Sequence, residues 1–222
     1  MSKNEDFSQL APQQARSQKT MQNIMASTIE LLNQKAFTEI SIQEIVERVG
    51  CSVGAFYGRF KDKDSLLHAL DDQLTQMVLN LIHELTENSE AAYTTLPDFT
   101  TAITQMLYNL YVEQQGMMRT LIITGRTHTD PRFREREDRI NAALHPVFLK
   151  FLSFRECIKH PNPELAIRFG LQKTHFALRE MVLWAHPQGS IPVSGDELIR
   201  EFVTGFLNYL EYQPPIINKK DV

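Results

Sequence analysis

The sequence predicts an all-α protein of about nine helices, with a three-helix head followed by a larger helical body. Three observations predict it. Past residue 15, nearly every segment repeats its apolar residues at three- and four-residue steps, which places them on one helix face. No stretch shows the apolar–polar alternation of a half-buried strand. The nine glycines and ten prolines lie mostly between the periodic segments, leaving those segments unbroken.

The elements follow in order. Residues 1–15 are polar and read as a flexible arm. Met21, Ile24, Thr28, Leu31 and Leu32 give a first helix over about 16–35. Ser41-Ile42-Gln43-Glu44 is a capping-box pattern, in which serine and glutamate satisfy each other's free backbone amides. Ile42, Ile45, Val46 and Val49 are the buried stripe of the helix it opens, and Gly50 can take the positive φ that ends it. The turn Gly50-Cys51-Ser52 leads to a short third helix capped by Ser52. Phe56 and Phe60, four residues apart, should anchor its inner face. Asp62 can cap a fourth helix, whose stripe from Leu66 to Leu85 extends it over about 63–87.

Glu87 to Leu96 reads as a loop. Helical patterns resume at 97–114, 117–127 and 133–158, broken at Gly116 and at Thr129-Asp130-Pro131 and ended by Pro161 to Pro163. Two further amphipathic helices span 164–186 and 195–212, separated by Pro187, Gly189 and Pro192. The expected organisation is an arm (1–15), a head (16–63), a body (64–212) and a loose tail (213–222).

Composition narrows the function classes. With 222 residues and 42% hydrophobic content the chain can fill a core. Met1 to Gln14 carry no apolar segment of a secretory signal. No apolar run approaches the ~20 residues that span a bilayer. Cys51 and Cys157 match no metal spacing, so reduced thiols in a cytoplasmic protein away from membranes are expected. His83, His145, His160, His175 and His186 have no partner at the spacing of a zinc-binding helix; His68 lies on the head-to-body helix and His128 in a turn. Each reads as a surface or satisfied histidine. There is no phosphate loop, dinucleotide fingerprint or Gly-x-Ser-x-Gly elbow. The run from Arg132 to Arg139 alternates charge like a solvated helix face. No catalytic residue, metal or cofactor is expected, and an all-α enzyme is the least supported reading.

Net charge is −4, which alone speaks against nucleic acid, but residues 15–63 carry +2 while 64–222 carry −5. That places any contact with duplex DNA on the head. Two short helices joined by a glycine turn and braced by a third form the helix-turn-helix plan, here over 41–60. With Phe56 and Phe60 inward, Val53, Gly54, Ala55, Tyr57, Gly58, Arg59 and Lys61 are left outside or at the margins, small or polar as a major-groove helix requires. Two glycines in so short a helix are unfavourable by roughly 1 kcal/mol each relative to alanine. Close approach to DNA explains them, and so would tight packing against helix one or two.

Residues 16–67 resemble the DNA-binding head of the TetR family of transcription regulators. The resemblance runs from Phe37-Thr38-Glu39-Ile40-Ser41-Ile42-Gln43-Glu44-Ile45-Val46 through Val49-Gly50-Cys51-Ser52-Val53-Gly54-Ala55-Phe56-Tyr57-Gly58-Arg59-Phe60-Lys61-Asp62-Lys63 to Leu66-Leu67. It implies that Ser41 and Gln43 touch phosphate or a base, and that Ser52, Val53, Gly54 and Ala55 face the groove. It implies phosphate contacts for Tyr57 and for Lys63, the latter aided by the positive end of its helix. Arg59 would contact phosphate or a base edge, and Arg16 and Lys19 would reach adjacent phosphates. Ala36, Gly58 and Ala55 depart from the usual family residues, which bears on the operator sequence and not on the mode of binding.

The resemblance also implies a homodimer and a ligand pocket in the body. For the dimer, Leu165, Phe169, Phe176, Met181 and Trp184 on one helix and Leu198, Phe202, Gly205, Phe206, Tyr209 and Leu210 on the next give apolar faces that could form a bundle across a twofold axis. They could equally seal the monomer. For the pocket, Phe99, Met106, Tyr108, Tyr111, Met117, Met118, Phe148 and Phe151 could line a site for a small apolar or aromatic effector, or be plain core. The implied function is a repressor released from its double-stranded operator by that effector. A member of the same fold without an inducer, acting constitutively or through protein partners, is the alternative, against which the presence of Tyr57, Arg59 and Lys63 argues.

Overall fold

The computed structural model describes residues 7–87, 92–127, 129–184 and 193–215. The expectations for His128, His186, Pro187, Gly189 and Pro192 lie outside them. The protein is all-α; among the described residues the only strand-like pairing is a bridge between Ile158 and Tyr212. The helices are α1 (Phe7–Leu32), α2 (Ile42–Val49), α3 (Val53–Tyr57), α4 (Lys63–Glu87), α5 (Leu96–Glu113), α6 (Gln115–Thr127), α7 (Arg132–Ala143), α8 (His145–Ser153), α9 (Pro163–Leu183) and α10 (Gly195–Tyr209), with 3-10 turns at Phe37–Glu39 and Arg155–Cys157. The chain divides into two compact units. One gathers Met1–Leu74 with Gly116–Thr129, the other Thr75–Gln115 with Asp130–Val222. The first therefore extends past Lys63, the expected edge of the head, and takes in α6.

In the first unit, α1 begins at Phe7, ahead of the expected Arg16, and stops at Leu32. Ile24, Leu31, Ile40, Ile45, Val46, Phe56, Phe60, Leu66 and Leu70 are buried. Gly116 is not the break that its residue type suggests. It lies inside α6, and the break falls at Gln114. Its backbone N–H donates to Asn33 Oδ1 at 3.0 Å. A Cβ there would lie 2.5 Å from the Leu32 carbonyl, so glycine permits a close approach of two backbones.

In the second unit, α5 packs against both α9 and α10, and α9 also against α8 and α10. The core holds Ile82, Phe99, Ile103, Phe148, Phe151, Ile167, Phe206 and Leu210. Phe99 and Phe151 pack with tilted rings, centroids 4.9 Å apart, and Phe151 meets Phe206 edge-on at 5.5 Å. Three residues expected to line a pocket, Phe99, Phe148 and Phe151, thus pack into this core, Met106 packs against it half-buried, and Met117 and Met118 fall in the first unit. Phe206, expected at a dimer face, is buried against the backbone of Gly170, where any side chain would collide with its ring. Helical period identifies an apolar face but not what covers it.

The helix expected over 133–158 is two, parted at Leu144. Pro146 explains the division, since it lacks an N–H and disfavours continued helix in the residue before it. The chain past α10 is tied down further than a loose tail implies. His160 N donates to Leu210 O, and Gln213 N donates to Cys157 O at 2.9 Å.

Candidate nucleic-acid interface

The helix-turn-helix forms from local signals. Ser41 accepts from Glu44 N at 3.1 Å and caps α2. The reciprocal half of the expected capping box is absent, because the Glu44 carboxylate turns to Lys35 Nζ at 2.7 Å. That bond, first among the causes, holds the Glu44 carboxyl below its usual range. Gly50 ends α2 at φ 72 and ψ 34, a conformation open to glycine without strain. Ser52 then caps α3, accepting from Ala55 N at 3.1 Å.

α3 has five residues, and Phe56 is its single buried one. Phe60, just beyond, is buried beside it with ring centroids 5.5 Å apart. The outer side carries Ser52, Val53, Gly54, Tyr57 and Gly58, all exposed, with Ala55 half-buried at its edge. Tyr57 is 54% exposed and braced edge-on against Phe56. The glycines bear on the choice between DNA approach and internal packing. A Cβ on Gly54 would meet only Ser52 Oγ, at 3.8 Å, and one on Gly58 only backbone oxygens of α3 itself, at 3.4 Å or more. Neither α1 nor α2 comes near either glycine, so packing within the chain does not require them.

Several predicted contacts are already engaged. Arg59 donates through Nε to Ser17 O at 3.0 Å and through Nη1 to Ala55 O at 2.6 Å, locking α3 to α1. Lys63 Nζ donates to Phe37 O and Ile40 O at 2.7 and 2.6 Å and lies 4.5 Å over the Phe37 ring. Burial lowers its pKa. Gln43 donates to Glu47 Oε1 at 2.6 Å. The positive end of α4 is occupied by Asp62, which accepts from Ser65 N and Oγ at 2.7 Å each; those bonds lower its pKa. Arg48 is paired with Glu30 at 2.7 Å. Among the described residues Arg16, Lys19 and Lys61 are exposed and have no side-chain hydrogen bond or ion pair. Lys61, left at the margin in the sequence reading, is thus a free cation directly beyond α3. Its place one residue past the inward Phe60 is the signal that could have found it.

Small residues outward, a hydroxyl at each end and unpaired cations alongside make a surface suited to a groove walled by phosphates. The same stretch finds matches among known proteins. The family described as bacterial regulatory proteins, tetR family, matches residues 24–70. The HTH-type transcriptional regulator YerO of Bacillus subtilis (strain 168) is 34% identical over 67 residues, 30% of this chain, and that match spans 23% of the relative's length. Two solved structures share the fold over nearly the whole chain. One is a TetR family regulator from Rhodococcus RHA1 (TM-score 0.66, 17% identity, 88% of this chain and 99% of that one). The other is PfmR, a TetR family regulator from Thermus thermophilus (TM-score 0.62, 16% identity, 86% and 99%).

Proposed function

We propose that this chain is a regulator of the TetR type, on the match of residues 24–70 to that family and the shared fold, and that it is a DNA-binding transcriptional repressor working as a homodimer and released from its operator by a small apolar or aromatic effector. The observation that carries the DNA-binding part is the outer side of α3, where Gly54 and Gly58 leave the backbone open although nothing inside the chain needs them. Val53, Gly54 and Ala55 face the groove, Tyr57 bonds a phosphate, and Arg16, Lys19 and Lys61 supply the electrostatic grip. Ser41, Gln43 and Ser52 add polar contacts to the duplex. Arg59 and Lys63 hold the site's shape and reach DNA with their remaining donors.

One α3 reads few bases, so two heads about 34–36 Å apart are needed on one face of the duplex. The apolar side of α9 and α10, through Phe169, Phe176, Trp184, Leu198, Phe202 and Tyr209, joins the copies. No helix among the described residues is long and apolar enough to cross a membrane, which agrees with action in the cytoplasm. α4 runs unbroken from one unit into the other and is the covalent path for release. Moving the heads from 1:99 to 99:1 in the released arrangement requires the effector to prefer it by ~5.5 kcal/mol.

Selection of bound duplexes from a random oligonucleotide pool, followed by titration at several salt concentrations, tests this. The expected result is one enriched, near-palindromic site. Reversing Lys61 and Lys19 to Glu together should lower the magnitude of the salt slope by about 0.9 for each phosphate no longer neutralised. No preference for any duplex over scrambled competitor overturns the reading.

A further inference from the structure

α5 and α9 bring together two residues that lie 64 positions apart. Tyr111 Oη and His175 Nδ1 are 2.6 Å apart. Tyr111 is fully buried, and burial raises its pKa, so it keeps its proton. Burial, and next the charge of Arg179, push His175 down to about 4, so the imidazole is neutral at pH 7. Tyr111 Oη has no other acceptor among the described residues, so it donates to Nδ1 and the ring proton sits on Nε2. That N–H has no partner among the described residues.

Arg179 lies one turn along α9 from His175. Its guanidinium stacks over the Phe176 ring, 4.9 Å from the centroid. It makes no hydrogen bond or ion pair among the described residues, and its Nε is sealed from solvent without an acceptor. A permanent cation with a sealed, unpaired N–H is unfavourable unless an acceptor arrives. Arginine's fork matches a carboxylate, and an imidazole N–H adds a second donor. The cluster thus offers one positive charge and several donors.

Resting on the reading of this chain as an effector-controlled regulator, we propose that the effector is an apolar or aromatic carboxylate, held by the Arg179 guanidinium and His175 Nε2 with Tyr111 fixing the imidazole. Tyr111 is a positioning residue: it acts by assigning the tautomer.

Binding is measured on the full chain without DNA, and operator affinity is then measured with and without the bound acid. Phenylacetate and octanoate are titrated against their neutral amides, with binding followed by calorimetry and by fluorescence of Trp184, the chain's one tryptophan, at the C-cap of α9. The carboxylates should bind at least ~10-fold tighter than the amides. Arg179→Gln should remove that preference, Arg179→Lys should keep part of it, and Tyr111→Phe should shift the pH profile of carboxylate binding. Equal binding of acids and amides, or binding of neither, overturns the proposal. So does an Arg179→Gln chain that binds carboxylates normally but self-associates differently, since Arg179 would then serve contact with a second copy. Arg179-dependent carboxylate binding that leaves operator affinity unchanged supports the site and removes the release step from the functional reading.

Discussion

In α3 the large ring, Phe56, is buried, and the outward positions are Val53, Gly54, Tyr57 and the cap Ser52. In α9 large apolar groups lie on both sides, with Ile167, Leu178 and Leu183 buried. The inward positions include Ala166, Gly170 and Thr174, while Leu165, Phe169 and Phe176 are 56%, 51% and 45% exposed. Phe169 leans on Tyr209 of α10 with ring centroids 5.7 Å apart, so the exposed surface continues across two helices. A surface of small and hydroxylated groups is stable in water, and can take up and release a partner without penalty. Exposed aliphatic and aromatic area forgoes about 25 cal/mol for each Å² left in water, which favours lasting cover. The contrast fits a transient partner at α3 and a standing one at α9.

The contrast can be broken or sharpened by substitution. Phe56→Ala should have the largest effect, about 3–5 kcal/mol in urea unfolding, with operator binding abolished alongside. A change below about 1 kcal/mol would mean that α3 is not anchored through this ring. Acid should act next, through the inner side of α9. The unfolded chain's imidazole takes up its proton near 6.5 and the folded one near 4. Between those values the unfolded state holds more protons, so stability is intact above about pH 7 and falls by roughly 2–3 kcal/mol as the pH drops to about 4. Equilibrium unfolding at stepped pH should show this, and His175→Gln should flatten it. Phe169→Asp should weaken self-association by about 2 kcal/mol in sedimentation while leaving helicity intact; unchanged association would move the interface elsewhere. The smallest change is the sharpest: Gly54→Ala should stabilise the chain by up to ~1 kcal/mol and still reduce operator affinity. Affinity that rises with stability would remove DNA as the reason for that glycine.

What the sequence disclosed follows the range of each interaction. The caps at Ser41 and Ser52, the left-handed Gly50 and the inward pair Phe56 and Phe60 act within four residues, and all were legible. Where an interaction spans more chain, residue types alone did not suffice. Glu44 serves Lys35 and not Ser41 because the end of α1 returns beside α2. Arg59 reads as a contact to phosphate or a base edge, and only the fold places its Nε on Ser17 O as well. Tyr111 and His175 share no spacing pattern, and Phe206 could not be told from its outward neighbours until Gly170 was set against it. Pro146 was a local signal for the division of α7 from α8 that the strong apolar period masked.

The N–H of Gly116 on Asn33 has a consequence for how the molecule is made. The ribosome releases Leu74 well before Gly116, so the first unit stays incomplete until more than half the polypeptide has emerged. A gene fragment truncated after α4 lacks the segment that docks on the end of α1. Expressed alone, the N-terminal third should be less stable than the same residues in the full chain, because it lacks the α6 segment that belongs to its unit.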